Sequence, residues 1–209
     1  MSMVSKISAL NRARKFNYFL ETFKPQPTDS ILDVGFNDVE YSEVDNYLEK
    51  HYPRQSQITA LGISVSEHFS KRYPEVKVVL YDGKIFPFGD KSFDIGWSNA
   101  VIEHVGNQDA QLLFLNEFLR TCKRIYFTTP NRFFPIEVHT RIPLLHWLPK
   151  SVFDSILKVT SKKWAAGDYM NLLSISQIKS LLKKAGVTNY SIKKNRLFGF
   201  TMDYCIIIQ

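Results

Sequence analysis

The sequence predicts an α/β fold built on a mainly parallel β-sheet. Two observations indicate this fold: five short apolar segments of strand-like composition alternate with helix-like segments, and two further strand-like segments surround a tight turn near the C-terminus. Strands that alternate with helices pair in parallel, whereas two strands joined by a tight turn must be antiparallel. We therefore expect five parallel strands plus a C-terminal antiparallel pair, with helices on both faces of the sheet.

Periodicity and chain breakers predict the elements in order. Residues 9–23 carry apolar side chains near helical spacing and are followed by Pro25 and Pro27, which end a helix. The five parallel strands are expected at residues 30–35, 58–63, 76–81, 93–98 and 124–129. Helices are expected between them at residues 43–51, 66–72 and 109–119. A last helix over residues 174–185 is ended by Gly186, and strands at 190–194 and 202–208 follow it.

The length of 209 residues indicates a single domain, residues 1–209, that buries a core without disulfides or metals. An N-terminal helical segment, residues 1–29, precedes the first strand. Residues 130–173 are interpreted as an insertion that covers the substrate, because they contain many proline and aromatic residues in their first part and no clean strand. Apolar positions within residues 144–157 are typical of a buried lid or dimer contact, and an interfacial segment that touches a membrane is the alternative.

The composition excludes several classes of protein. With 44% hydrophobic and 22% charged residues the chain is not disordered, and it contains no run of 18 apolar residues that would form a transmembrane helix. Residues 1–20 lack the apolar core and the cleavage site of a secretion signal, which predicts a cytoplasmic protein. Cys122 and Cys205 lie in apolar, strand-like segments, and neither a disulfide nor a metal site is predicted.

The net charge of +7 is concentrated near the C-terminus, because residues 148–197 hold ten basic and two acidic residues. A polarised charge of this kind can attract nucleic acid, anionic lipid or an acidic substrate. Nine of the ten basic residues are lysines and few aromatic residues lie between them, which favours a solvated face over a nucleic-acid interface.

A long motif follows the third strand. Asp82-Gly83 is followed by Ile85-Phe-Pro-Phe-Gly-Asp-Lys-Ser-Phe-Asp94 and then by Ser98-Asn-Ala-Val-Ile-Glu-His104. In order and spacing these residues resemble the D-G, L-P-F-x-D-x-S-F-D and S-x-x-V-x-E-H segments of the type 11 group of class I S-adenosylmethionine-dependent methyltransferases. The resemblance covers about residues 30–135. It implies the Rossmann-like sheet of class I methyltransferases and S-adenosylmethionine as the cofactor.

The resemblance also implies which residues bind the cofactor. They follow the first four strands: Asp33, Gly35, Phe36, Asn37, Ser64, Asp82, Gly83, Ser98 and Asn99. Ligands of open α/β sheets bind outside the carboxyl ends of the strands. Glycine lets the backbone approach a ligand closely, and a carboxylate such as that of Asp82 would accept a hydrogen bond from the exocyclic amine of adenine.

Two positions depart from the family pattern. The first loop of the family usually reads D-x-G-x-G-x-G, but Asn37 and Val39 replace two of the three glycines here. Val39 would adopt a left-handed backbone only with strain, so the loop is expected to take a different path or to leave less room for the methionine moiety. Gly62 replaces the acid that usually binds the ribose, so that ribose binding either falls to Ser64 or Glu67 or is lost.

Two histidines are the candidate catalytic residues. A hydroxyl or amine acceptor loses a proton during methyl transfer, and His104 after the fourth strand or His139 after the fifth could take it. Asn131 and Arg132 are the candidate substrate-binding residues, because their loop faces the substrate in the resembling enzymes and mixes polar with aromatic side chains. Glu137 is assigned a structural role.

The sequence therefore predicts an S-adenosylmethionine-dependent methyltransferase that acts on a small-molecule, glycan or lipid-linked acceptor. A non-catalytic methyltransferase-like module, binding a partner through its basic face, is the alternative. Methylation of nucleic-acid bases is disfavoured, because residues 98–101 lack the Asp/Asn-Pro-Pro-Tyr/Phe motif of many base amino-methyltransferases. The sequence indicates no particular oligomeric state.

Overall fold

The computed structural model of the chain describes residues 3–64, 66–137 and 139–209. Within these residues the strands are β1 (Ile31–Val34), β2 (Ile58–Gly62), β3 (Lys77–Leu80), β4 (Phe93–Asn99), β5 (Cys122–Pro130), β6 (Tyr190–Leu197) and β7 (Phe200–Ile208). They form one sheet in the order β3-β2-β1-β4-β5-β7-β6. Strand β1 pairs in parallel with β2 and β4, β2 pairs in parallel with β3, and β6 pairs antiparallel with β7. The predicted fold class is therefore confirmed.

The helices are α1 (Met3–Phe23), α2 (Tyr47–His51), α3 (Glu67–Arg72), α4 (Gln108–Thr121), α5 (Lys150–Lys158) and α6 (Ile175–Lys184). Helix α2 begins four residues later than predicted, because Asn46 adopts a left-handed backbone with φ of 47° and the residues before it form a loop. Helix α6 begins at a capping box in which Ser174 and Gln177 exchange hydrogen bonds. No helix in the described part of the chain combines the length and the apolar character needed to span a membrane.

The chain contains two compact units, and the first comprises Met1–Ser98 with Phe118–Tyr126. Its core includes a group of aromatic side chains, in which Trp97 stacks on Tyr126 at 4.9 Å between ring centroids and meets Phe19 at 4.8 Å. The Tyr126 hydroxyl donates to the backbone carbonyl of Lys15 at 2.9 Å. These contacts attach α1 to the buried strands.

The second unit comprises Asn99–Glu117 with Phe127–Gln209, a range that includes the predicted insertion at residues 130–173. In α5, Phe153 and Leu157 are buried in a cluster with Ala165 and Met170. One face of α5 therefore packs inside its own unit, while Val152 on the helix remains 43% exposed.

Candidate active site

The carboxyl ends of β1 to β4 define one edge of the sheet, and the predicted cofactor residues of the first unit lie along it. Beyond the strands, the backbone N–H of Gly35 donates to the carbonyl of Leu61 at 2.9 Å, and that of Tyr81 donates to the carbonyl of Gly62 at 3.0 Å. Gly35 has φ of 96°, a conformation that glycine adopts without strain. The loops that follow β1, β2 and β3 therefore start at the same edge of the sheet.

Side-chain hydrogen bonds shape the loop after β1. Asn46 Oδ1 accepts from the backbone N–H of Asn37 at 2.9 Å, and Asn46 Nδ2 donates to the carbonyl of Asn37 at 2.8 Å. Asp38 accepts from the backbone N–H of Phe69 at 3.0 Å, which fastens the loop to the first turn of α3. Neither Asn37 nor Val39 has a positive φ. The loop is thus built without the left-handed positions that the missing glycines would provide.

Phe36 fills the space above Gly62, at the end of β2. A Cβ atom added to Gly62 would lie 2.5 Å from Cε1 of Phe36. The Phe36 ring is held there by the ring of Phe69, with 4.4 Å between the centroids. The Phe36 ring therefore occupies the space that an acidic side chain at residue 62 would need. Ser64 and Glu67, a few residues further along the chain, are exposed.

Asp82 and Gly83 form the turn after β3, and both are exposed. Asp82 Oδ1 accepts from the backbone N–H of Lys84 at 2.9 Å, so one carboxylate oxygen fixes the turn. The other oxygen, Oδ2, makes no hydrogen bond within the described residues and can accept one from a ligand. Gly83 has φ of 81°, a backbone conformation that glycine adopts without strain and other residues rarely adopt.

Asp33 does not face the open edge of the sheet. It is 4% exposed and lies against Glu49 of α2, which is fully buried. Burial, and then the charge of Glu49, raise the pKa of Asp33 well above its usual range, and burial also raises the pKa of Glu49. Two buried carboxyl groups in contact favour a protonated form of the pair, so a charge on both would destabilise the fold.

Replacement of Glu49 by glutamine is expected to stabilise the protein at neutral and higher pH. Because the folded-state pKa values are raised, stability is highest below the unfolded-state pKa and is lost as pH rises through the folded-state pKa. Glutamine at this position can donate to the Asp33 carboxylate and carries no charge. We expect a gain of about 1–3 kcal/mol at pH 8 that shrinks towards pH 4. Thermal unfolding across this range tests it, with the exposed Glu43→Gln as control; an equal effect of both variants would contradict it.

Ser98 and Asn99 lie at the end of β4 and are engaged by the backbone and by a neighbouring side chain. The buried Ser98 hydroxyl donates to the carbonyl of Val34 at 2.9 Å, which joins the ends of β4 and β1. Asn99 Oδ1 accepts from the hydroxyl of Thr128 at 2.8 Å. After Asn99 the chain turns sharply at Ala100, which has φ of 59°.

The two predicted catalytic histidines come together in the second unit. His104 Nε2 lies 3.1 Å from His139 Nε2, and the two rings are perpendicular at 4.7 Å between centroids. Glu103 is fully buried, and its Oε1 lies 3.9 Å from His104 Nε2. Each imidazole side chain is 22% exposed, so the pair is accessible from one side. We call Glu103, His104 and His139 the histidine–glutamate cluster.

Hydrogen bonds fix the orientation of both rings. His104 Nδ1 lies 2.8 Å from the carbonyl of Tyr169, and His139 Nδ1 lies 2.7 Å from Oε1 of Glu137. A carbonyl and a carboxylate are acceptors only, so both Nδ1 atoms carry the proton and donate. Each neutral ring then has its lone pair on Nε2, and the two lone pairs point at one another. A proton shared by the two Nε2 atoms, or a metal ion bound by both, would remove the repulsion between these lone pairs.

Glu137 fixes the position of His139 and acts to raise the pKa of its ring. It accepts hydrogen bonds from the backbone N–H groups of His139 and Thr140, which fixes the turn around it. Burial acts to raise the pKa of Glu137, but its hydrogen bond with His139 and the charge of that ring lower it to about 2. Burial acts to lower the pKa of His139, whereas the hydrogen bond and charge of Glu137 raise it. Glu137 thus has the structural role that was predicted and also positions His139.

The predicted substrate-binding residues have different surroundings. Asn131 is buried, and its side chain donates to the carbonyl of Thr201 at 2.8 Å and accepts from the Tyr204 hydroxyl at 3.0 Å. Its polar atoms are therefore used inside the protein. Arg132 borders a cavity of about 290 Å³, which is also lined by His146. His146 Nε2 donates to the carbonyl of Phe134, and its buried Nδ1 has no partner in the described residues.

From the sequence alone, Glu103 has no predicted role and Glu137 only a structural one. Both acids were visible in the sequence, since Glu103 precedes His104 directly and Glu137 lies two residues before His139. Their convergence depends on contacts between distant segments. One is the hydrogen bond from the backbone N–H of Asn171 to the carbonyl of Glu103 at 2.7 Å. No local sequence pattern predicts this contact.

Comparison with known proteins identifies the fold. Residues 32–125 match the family model described as a methyltransferase domain, whereas no curated protein matches the chain by sequence. An S-adenosylmethionine-dependent methyltransferase of Methanosarcina mazei is 14% identical with a TM-score of 0.55, over 90% of this chain and 95% of that one. The N-terminal domain of EvdMO1, crystallised in the presence of S-adenosylhomocysteine and D-fucose, is 17% identical with a TM-score of 0.58, over 95% and 82%.

A third structure is phosphoethanolamine N-methyltransferase 2 of Haemonchus contortus, in complex with phosphomonomethylethanolamine and S-adenosylhomocysteine. It is 16% identical with a TM-score of 0.57, and the match covers 87% of this chain but 39% of that one. The family match and the fold confirm the resemblance found in the sequence: residues 32–125 match the methyltransferase-domain model, and the chain has the fold of the S-adenosylmethionine-dependent methyltransferases.

Proposed function

We propose that the protein transfers the methyl group of S-adenosylmethionine to a hydroxyl or amine of a small-molecule, glycan or lipid-linked acceptor. The match of residues 32–125 to a methyltransferase domain carries this proposal. The solved structures with S-adenosylmethionine or its product support the choice of cofactor. The sulfonium of the cofactor is already activated, so the protein has to align the acceptor, the methyl group and the sulfur, and to receive one proton.

The edge formed by the ends of β1 to β4 is the proposed cofactor site. Asp82 Oδ2 would accept from the exocyclic amine of adenine, and Gly83 offers a backbone N–H without a side chain in the way. Gly35 allows close approach of the loop after β1. Ser64 or Glu67 would contact the ribose in place of an acid at residue 62.

The histidine–glutamate cluster is the proposed proton acceptor. The acceptor oxygen or nitrogen forms a bond to the methyl carbon, the carbon–sulfur bond breaks to leave neutral S-adenosylhomocysteine, and the proton passes to Nε2 of His104 or His139. A proton held there is shared across the 3.1 Å contact between the two rings. The carboxylates of Glu103 and Glu137 offset its charge.

The cavity beside Arg132 is the proposed site for the body of the acceptor. Its volume of about 290 Å³ is suited to a small molecule or to one end of a larger one. The Arg132 guanidinium, which also donates to the carbonyl of Leu148, would bind an anionic group. Such a contact favours a polar acceptor with an anionic group.

Calorimetric titration with S-adenosylmethionine and S-adenosylhomocysteine is the first test. We expect micromolar binding by the purified chain. Asp82→Asn should weaken it about tenfold or more, because the amide keeps the turn but presents a donor or a neutral acceptor to adenine. Asp90→Asn, at a carboxylate that is 79% exposed, is the matched control and should bind normally. A folded protein that binds neither ligand at millimolar concentration would favour the non-catalytic module instead.

If the chain binds the cofactor, the methyl acceptor can be searched for next. Fractionated small-molecule extracts, incubated with the protein and methyl-labelled S-adenosylmethionine, should yield a labelled product. If the cofactor binds but S-adenosylhomocysteine never forms with any polar extract, the proposed acceptor class is wrong.

A further inference from the structure

The histidine–glutamate cluster has features of a metal site that proton transfer alone does not require. Two imidazole nitrogens and one carboxylate oxygen, from Glu103, His104 and His139, lie within 4.8 Å of one another. In a tetrahedral zinc site with bonds of about 2.0–2.1 Å, neighbouring ligand atoms are about 3.4 Å apart. The separations of 3.1 Å between the two Nε2 atoms and 3.9 Å between His104 Nε2 and Glu103 Oε1 lie on either side of that value. Since the three ligand atoms are up to 4.8 Å apart, binding of an ion would draw them closer together.

The buried carboxylate gives an independent indication. Glu103 Oε2 accepts from the hydroxyl of Thr129 at 2.9 Å, but Oε1 has no hydrogen-bond partner among the described residues although the side chain is fully buried. An unpaired buried carboxylate oxygen is costly, and buried charges in proteins are normally paired or coordinated to a metal. Oε1 is the oxygen on the side of His104 Nε2.

The hydrogen bonds made by the Nδ1 atoms of the two histidines also fit a metal site. Metal-binding histidines usually donate the other ring N–H to a carboxylate or to a backbone carbonyl, which fixes the tautomer and directs the free lone pair to the metal. His139 does so with Glu137, and His104 does so with the carbonyl of Tyr169. Both partners are thus in place for the two nitrogens to bind one ion.

We infer that Glu103, His104 and His139 bind a divalent transition-metal ion of the zinc type, with water or the acceptor hydroxyl at the remaining position. Two histidines and one carboxylate are the ligands of several catalytic metal sites with an open position. Binding of the ion does not depend on methyl transfer. A role in catalysis rests on the proposed methyl transfer, with the bound ion in place of the free Nε2 atoms as the activating group. The ion would lower the pKa of a bound acceptor hydroxyl, whose proton would then pass to water and not to a coordinated Nε2 atom.

Titration of the untagged, chelator-treated protein with Zn²⁺ and with Co²⁺ tests the inference. We expect one ion per chain, and visible absorption of four-coordinate Co²⁺ that Zn²⁺ abolishes. His139→Ala should lower the affinity at least about 100-fold, and Glu137→Gln should lower it about 10–100-fold without changing the stoichiometry. His68→Ala, an exposed histidine of α3, is the control and should bind like the unmodified chain.

Glu103→Gln is a second variant, in case His139→Ala does not fold. Its side-chain oxygen can still accept from Thr129, but the charge at Oε1 is lost, and we expect weaker Co²⁺ binding with changed absorption. The inference is overturned if the unmodified chain binds no ion, which would assign the cation between the rings to a proton, or if the cluster variants bind as the control does. Failure of metal binding with normal cofactor binding leaves the proposed methyl transfer intact. Metal binding without cofactor binding would contradict only the proposed methyl transfer.

Discussion

Replacement of His139 by alanine is expected to lower the turnover of methyl transfer about 10²–10⁴-fold, the usual effect of removing a group that handles the substrate proton. The affinity for S-adenosylmethionine should stay within about twofold, since the proposed cofactor residues belong to other segments of the chain. His104→Ala should have a similar effect, because either imidazole alone lacks the partner with which it shares the cation. The measurement is single-turnover kinetics with the acceptor identified by the extract search, next to calorimetry with the cofactor.

The double variant distinguishes a joint role from two separate ones. If the rings act as a unit, the loss in His104→Ala/His139→Ala should be about equal to that in either single variant. His68→Ala, on the surface of α3, is the matched control and should retain full turnover. Equal losses in turnover and in cofactor affinity would contradict the proposed role, since they would indicate a disturbed fold.

The fold class could be predicted, and the two histidines singled out as candidates, because both depend on local patterns. Apolar runs give the buried strands, and the motif from Asp82 to His104 gives the family. The meeting of His104 with His139 could not be predicted, because it depends on how the segment around Tyr169 and the turn at Glu137 pack. A sequence pattern places a residue after a strand, but the direction of its side chain depends on distant contacts.

Asp33 illustrates the same limit. Its position at the end of β1 matches the family motif, yet its side chain lies against the buried Glu49, which is in a helix 16 residues later. Strand alternation allows two directions for each side chain, and neighbouring elements decide which one is buried. The missing glycines are a second example: their replacement was visible, but the hydrogen bonds of Asn46 that shape the loop were not.

The second large effect concerns Gly62 and Phe36. Gly62→Asp alone is expected to destabilise the fold by about 1–3 kcal/mol, because its Cβ would lie 2.5 Å from the Phe36 ring and that ring would have to move. Phe36→Ala alone loses the contact with Phe69 and should also be destabilising. The matched control is Gly89→Asp, where an added Cβ has no atom within 4 Å and little change in unfolding temperature is expected.

The combination Phe36→Ala/Gly62→Asp should be more stable than the sum of the two single effects predicts, by about 1 kcal/mol or more, because removing the ring frees the space that the aspartate needs. The freed carboxylate would then occupy the position at which related enzymes bind the ribose. We expect the double variant to bind S-adenosylmethionine about tenfold more tightly than Phe36→Ala, the gain of one charge-assisted hydrogen bond. Additive stabilities would mean that Phe36 moves aside freely. Unchanged affinity would mean that the ribose is bound elsewhere, with Ser64 or Glu67 as the remaining candidates.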